Sequence, residues 1–379
     1  MDWTNILLSA SLAFLITFFA IPVIIQVAKS KKLFDEPDER KVHKTVIPTL
    51  GGLGIFAGFI IATLMGVPAG ESAELQYIAA AAIVIFFLGI KDDIMILSAS
   101  KKFVGQLIAA GILIKFGGIQ ITNMHGFMGI HVLPHIASIV FTVFTIIVIT
   151  NSFNLIDGVD GLAGSLGLLT SLVFGAYFAL NGDTVYAAIS LSLAGSIVGF
   201  LIYNFSPAKI FMGDTGSLLL GLINSVMVIK FINIAESPTA NIKFAAAPAL
   251  GFAILMIPLF DTLRVFTIRI MDRRSPFSPD RNHVHHFLLD LGLSHRMVTI
   301  TCVATNIIFI VTAFLLRNVE ITTLIGILLC CAFIFIGTIY YFSRQKSKSF
   351  SQKRMPKPEV ISTHKRLSLA SEAVGVEID

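Results

Sequence analysis

Four polar segments interrupt an otherwise apolar chain, and their residue types suit metal ions and phosphates. They are Lys91–Asp93 (KDD), Asn151–Gly161 (NSFNLIDGVDG), Phe211–Ser217 (FMGDTGS) and Arg281–His286 (RNHVHH). Lys91, Asp92 and Asp93 directly follow the apolar run Ala79–Ile90. Adjacent carboxylates at a membrane surface repel each other and are costly to desolvate. They either end a helix at a solvated edge, or hold a divalent cation or a phosphate nucleophile at the interface. Lys101 and Lys102 follow shortly after. A lysine there reaches a lipid phosphate at headgroup level, or simply snorkels.

The second segment is the strongest signal. Asp157-Gly158 and Asp160-Gly161 are both turn dipeptides, yet one turn needs only one such pair. With Asn151 and Asn154 they concentrate oxygen ligands in one short loop, and the glycines let backbone N–H groups approach an anion. Oxygen-only donors suit a hard cation such as Mg²⁺, typically shared with a diphosphate. In the third segment, Asp214 or Thr215 reads as a helix N-cap, and the same positive helix end favours a metal-bound or free phosphate. Asp214 is the first candidate metal ligand. Asn204 lies near it in sequence on the same aqueous side. In the fourth segment, Arg281, His283, His285 and His286 suit diphosphate recognition and stabilisation of developing charge. Zinc is the weaker reading because no cysteine is near. Asp261 and Arg264 stand close enough to feed the same site.

The elements that position these residues are membrane helices. The chain has 379 residues, 55% hydrophobic and 13% charged, which marks an all-α polytopic membrane protein. About eleven apolar stretches begin near residues 4, 50, 75, 102, 135, 161, 184, 214, 244, 297 and 321. The first, Thr4 to Ala28, reads as a retained helix rather than a signal peptide. Lys and Arg crowd the segment 29–49, the loops after the third and ninth stretches, and the tail, while the alternate loops are nearly bare. The positive-inside rule then predicts an outside N-terminus and a cytoplasmic C-terminus, which needs an odd number of spans. All four motifs fall on the cytoplasmic side.

Residues 1–342 read as one transmembrane unit, and 343–379 as a basic, disordered tail near anionic headgroups. The longest outer loop, Gly117–His135, carries His125, His131 and His135, which read as scattered surface histidines. Cys302, Cys330 and Cys331 lie inside apolar stretches, with no loop pair for a disulfide or a zinc knuckle. A transporter would place ionisable groups near the midplane and often shows repeats; here they cluster at one face and no repeat is found. A membrane metalloprotease would need a motif such as HExxH, which the sequence lacks.

The four motifs, in this order and on this topology, resemble the polyprenyl-phosphate N-acetylhexosamine-1-phosphate transferases of the WecA/TagO type, a branch of the MraY superfamily. The match runs from about Arg40 to Gly292 and includes RKVHKTVIPTLGG at 40–52 and SPFSPDRNHVHHFLLDLG at 275–292. The resemblance implies transfer of a sugar-1-phosphate, GlcNAc-1-phosphate first among candidates, from a UDP-sugar to undecaprenyl phosphate with release of UMP. That is the first membrane step of cell-surface polysaccharide synthesis, at the bacterial inner membrane. It implies Mg²⁺, with Mn²⁺ as an alternative. By resemblance, Asp92 and Asp93 match the family's paired aspartates, and Lys102 a lysine that contacts phosphate. Asn154 and Asp214 match positions that coordinate Mg²⁺. Asp157, Asp160, Asn204 and Phe211 match positions around the uridine and diphosphate. His283, His285 and His286 match the histidine motif, here His-Val-His-His rather than three consecutive histidines, which favours a simple N-acetylhexosamine donor. Gly158, Arg264 and Arg281 complete the expected substrate site. The expected partners are the two substrates and the lipid bilayer, with no nucleic acid; a homodimer is compatible with the sequence. The favoured mechanism is one in-line displacement by the lipid phosphate; a covalent aspartyl-phosphate route is less economical.

Overall fold

A computed structural model describes residues 3–31, 47–68, 70–235, 237, 239–275 and 282–354. The elements are α1 (Trp3–Ser30), α2 (Gly51–Gly66), α3 (Ala73–Ile94), α4 (Ala99–Lys115), β1 (Asn123–Phe127), β2 (Ile130–Val132), α5 (His135–Ile156), α6 (Leu162–Asn181), α7 (Thr184–Asn204), α8 (Gly213–Ala235), α9 (Ala247–Ile254), α10 (Met256–Met271), α11 (Val284–Asp290), α12 (His295–Leu315) and α13 (Ile321–Arg354). All of the expected apolar stretches are helical. Eight are long and apolar enough to cross a membrane: α1, α3, α5, α6, α7, α8, α12 and α13. The pair α9 and α10 makes up to one more, bent by 85°. The two remaining stretches of the expected eleven are shorter, with 16 residues in α2 and 17 in α4.

Helix α8 is the axis of the fold and is buried along almost its whole length. It packs against α2, α3, α5 and α6. Apolar burial drives little association between helices in lipid, so close backbone approach matters. At Gly52 an added Cβ would lie 2.1 Å from the Gly216 nitrogen, and at Gly89 one would lie 2.4 Å from the Thr215 Cα. Two glycines on two helices therefore seat the first turn of α8. Polar pairs fix the register of α3 against α8 at both ends. The Asp93 carboxylate meets the start of α8, and Lys230, near its end, donates to Glu74 Oε2 at 2.9 Å. Tyr186 donates to the same carboxylate.

The break between α9 and α10 leaves backbone groups without helical partners inside an apolar region, where each costs several kcal/mol. Asn306 of α12 supplies both. Its side chain accepts from Ile257 N at 2.9 Å and donates to Ile254 O at 2.8 Å. The bend sends α10 off in a new direction, carrying Asp261 and Arg264 on it.

The outer loop contains an antiparallel hairpin, β1 with β2, pairing Asn123 with Val132 and Phe127 with Ile130. Its His125 is buried rather than on the surface, whereas His131 and His135 are exposed. The last helix, α13, extends past residue 342 to Arg354. Arg281, the stretch 40–46 and residues 355–379 lie outside the described residues.

Candidate functional site

The ends of α3, α4, α5 and α8 converge on one carboxylate, Asp214. It sits in the first turn of α8. Its Oδ1 accepts from Asn154 Nδ2 at 2.9 Å, and its Oδ2 accepts from Lys102 Nζ at 2.6 Å. The same ammonium lies 2.5 Å from Asp92 Oδ2, so Lys102 bridges two carboxylates from two helices. Asn154 also donates to Ser217 Oγ, one turn along α8, at 3.0 Å. Asp92 Oδ1 accepts from Leu97 N at 2.7 Å, which fixes the turn between α3 and α4.

The paired aspartates do different work. Asp93 accepts from Asp214 N at 2.7 Å, Thr215 N at 3.0 Å and Thr215 Oγ1 at 2.5 Å. It is the cap of α8, supplied by another helix rather than by Asp214 or Thr215. Hydrogen bonds to a charged group contribute about 1.5–3 kcal/mol each, and a carboxylate at a helix N-terminus gains further from the aligned peptide dipoles. Only Asp92 of the pair faces Lys102.

The Asp-Gly loop forms the next wall. Asp157 follows the last residue of α5, and its carboxyl is held well above the ordinary carboxylate range. Burial is the main cause, followed by the charges of Asp214, Asp93 and Asp160. Asp160 is buried, with its Oδ1 at 3.1 Å from His295 Nδ1 and its Oδ2 accepting from Ala208 N at 3.1 Å. Its backbone carbonyl accepts from Thr299 Oγ1 at 2.9 Å. Gly161 has φ +73°. Its N–H donates at 2.9 Å to Asn204 Oδ1, while Asn204 Nδ2 donates to Ile210 O at 2.8 Å. Asn204 is thus a clamp between the Asp-Gly loop and the segment leading to Phe211. Phe211 is half-buried, and its backbone pairs with Pro48 and Gly51.

The histidine segment closes the site from above the loop. His283 and His285 are buried, and His286 is partly exposed. Asp261 anchors the segment. Its Oδ2 lies 2.8 Å from His283 Nδ1, and its Oδ1 accepts from Val284 N at 3.0 Å and Arg264 Nη2 at 2.9 Å. Arg264 also donates to Asn282 O, so it braces the histidine segment. His285 lies over the Asp-Gly loop, where a Cβ on Gly158 would come within 2.6 Å of His285 Nε2. Only glycine leaves that space. Burial, then the neighbouring His286, pulls the His285 imidazole down to about 3.

Most expected site residues are therefore gathered: Asp92, Lys102, Asn154 and Asp214 in one cluster, Asp157, Gly158 and Asp160 beside it, and His285 against Gly158. His295 was not foreseen, and Ser217, though inside the third segment, was given no role. His295 opens α12 outside any motif; a polar Ser-His-Arg start to an apolar helix was the available signal. Among the described residues no group of three or more His, Cys, Asp or Glu side chains is close enough to hold a metal by itself. The residues present nevertheless fit a hard divalent cation shared with phosphate oxygens. The donor set at Asp214, Asn154, Asp92 and Asp157 is all oxygen, and Asp157 is raised in part by neighbouring carboxylates.

The family described as Glycosyl transferase family 4 matches residues 75–232, the span from α3 to α8. The chain is 32% identical over 320 residues to a probable undecaprenyl-phosphate N-acetylglucosaminyl 1-phosphate transferase of Bacillus subtilis, covering 82% of this chain and 85% of the relative. It is 35% identical over 314 residues to the decaprenyl-phosphate N-acetylglucosaminephosphotransferase of Mycobacterium tuberculosis, 76% of each. It is 33% identical to the Haemophilus influenzae undecaprenyl-phosphate alpha-N-acetylglucosaminyl 1-phosphate transferase over 76% of this chain and 81% of the relative. With that identity covering three quarters or more of the chain, and the family match spanning the helices that build the cluster at Asp214, the chain belongs to the polyprenyl-phosphate N-acetylglucosamine-1-phosphate transferases of glycosyl transferase family 4.

Proposed function

We propose that this protein transfers GlcNAc-1-phosphate from UDP-GlcNAc to undecaprenyl phosphate, releasing UMP, at the cytoplasmic face of the bacterial inner membrane. The observation that carries this reading is the meeting of Lys102, Asp92, Asn154 and Asp214 at one end of the helix bundle. Basic loops on that side support a cytoplasmic site and an outside N-terminus. UDP-sugars are made in the cytoplasm, which fits.

The chemistry is a displacement at phosphorus. A phosphate monoester has its second pKa near ~6, so the lipid phosphate is largely dianionic at neutral pH and needs no strong base. The larger task is to hold two anions together in line. Lys102, at the mouth between α3 and α4, receives the lipid phosphate, whose polyprenyl tail stays in the hydrocarbon. The Asp-Gly loop and the histidine segment face the soluble nucleotide. Asp261 orients His283, and His285 stays neutral as a hydrogen-bonding group against the loop. Mg²⁺ would be held by Asp214 and Asn154, with Asp92 beside them, and when bound it would neutralise phosphate charge. Asp93 keeps α8, and with it Asp214, in place. The donor is tested by incubating purified protein and undecaprenyl phosphate with radiolabelled UDP-GlcNAc, UDP-GalNAc and UDP-QuiNAc in turn. Lipid-extractable label from UDP-GlcNAc alone is expected; label from another donor instead would overturn the assignment.

A further inference from the structure

Both oxygens of Asp214 are already engaged, Oδ1 by Asn154 and Oδ2 by Lys102. Lys102 also holds Asp92 at 2.5 Å. One ammonium thus lies between two carboxylates from different helices, where a bridging cation would gain most from both charges. A hard cation entering between these carboxylates meets an occupied position. Like charges repel there, so a metal ion held at about 2.0–2.1 Å from these oxygens competes with the ammonium for them.

The geometry points to Lys102 as an exchangeable cation: its ammonium and a divalent metal ion compete for the Asp92–Asp214 pair, and metal binding frees the lysine to receive the lipid phosphate. This rests on the reading that the site takes a divalent cation with two phosphate substrates. Charge balance supports it. With the ammonium in place and both carboxyls ionised, the two carboxylates and Lys102 sum to one negative charge, which repels an incoming phosphate. With a divalent ion between them the pair is neutral, and Lys102 adds one uncommitted positive charge beside it. Asp93 does not enter this balance, because its oxygens are committed to the start of α8. The side chain has the freedom the exchange needs: it is 26% exposed, on a flexible four-carbon stem. Lipid phosphate affinity is thereby made conditional on the metal, so the acceptor is captured only by a site that is already charged for transfer.

The test uses full-length protein in lipid nanodiscs, with Mn²⁺ as the probe. Electron paramagnetic resonance gives its affinity for wild type and for Lys102→Met. An amine acylating reagent, read peptide by peptide in the mass spectrometer, gives the reactivity of Lys102 with and without Mn²⁺. The neighbouring exposed Lys101 serves as the internal reference. Exchange predicts a several-fold rise in Lys102 reactivity on adding Mn²⁺ and an affinity roughly tenfold tighter in Lys102→Met, the scale of one charged hydrogen bond no longer displaced. Tighter binding with unchanged Lys102 reactivity would reduce the effect to repulsion at a distance and overturn the exchange. Saturable Mn²⁺ binding with neither change would overturn it as well, leaving the metal site standing. Absence of saturable Mn²⁺ binding to wild type would remove the metal from the functional reading itself.

Discussion

The backbone N–H of Asp214 donates at 2.7 Å to the carboxylate of Asp93, so one of two adjacent aspartates holds the start of the helix that carries the central carboxylate. Consecutive residues on an α-helix point about 100° apart, since 3.6 residues complete a turn. Asp93 therefore faces α8 while Asp92 faces Lys102. Position and chemistry are divided between neighbours.

That division makes Asp93→Ala chiefly a stability lesion. Losing a helix cap costs about 0.5–2 kcal/mol, and leaving the buried donors unmet adds to it. Asp92→Asn, which keeps an acceptor for Leu97 N, should unfold near the wild-type temperature but lose most of its turnover. Thermal unfolding in detergent together with steady-state rates separates the two. Equal destabilisation by both substitutions would contradict the division.

Lys102→Ala should raise the KM for polyprenyl phosphate by about ten- to a hundredfold, the value of one charge-assisted phosphate contact at roughly 1.5–3 kcal/mol. The KM for UDP-GlcNAc should change little. Kinetics with each substrate varied in turn decides this. Damage confined to the nucleotide KM would place the lipid phosphate elsewhere.

His285 is pulled down to about 3, so the folded protein favours its neutral form and it stays neutral through the working pH range above that value. It cannot supply the acidic limb of a rate profile near neutrality. His285→Gln should lower kcat by about 10²-fold, as for loss of one preorganised donor, with any acidic limb near pH 6 keeping its midpoint. A limb that moves or vanishes in this variant would assign the titration to His285.

Orientation is open to labelling with an impermeant thiol reagent, in a background lacking Cys302, Cys330 and Cys331. Gly129→Cys, in the turn between β1 and β2, should react from outside; Asp272→Cys, exposed after α10, should react only from the cytoplasm. The reverse pattern would put the site in the compartment without UDP-sugars.

Much of the site was legible because its residues come in short polar runs inside apolar sequence, where any buried charge demands a reason. The runs placed Asp214, Asn154 and Lys102 on one aqueous face; that Lys102 and Asn154 meet on the two oxygens of Asp214 was seen only in the structure. The roles within them were not legible. Which of Asp92 and Asp93 faces α8 depends on where α8 lies, and that is set by glycines such as Gly89 whose partners are remote in sequence. Asn204 reads equally well as a ligand or a clamp until its bonds to Gly161 and Ile210 are seen. The α9–α10 break was hidden because composition reports apolarity, not direction. Asn306, a lone amide in the apolar α12, was its one visible trace.

The most direct measurement follows the phosphorus. UDP-GlcNAc carrying radiophosphorus in the phosphate next to the sugar is incubated with purified protein and undecaprenyl phosphate. The account predicts that the label moves into the lipid extract with the sugar, in equal amount, while unlabelled UMP appears in the aqueous phase. Labelled UDP in the aqueous phase, with sugar but no label in the lipid, would show cleavage at the sugar carbon and contradict transfer of a sugar-1-phosphate.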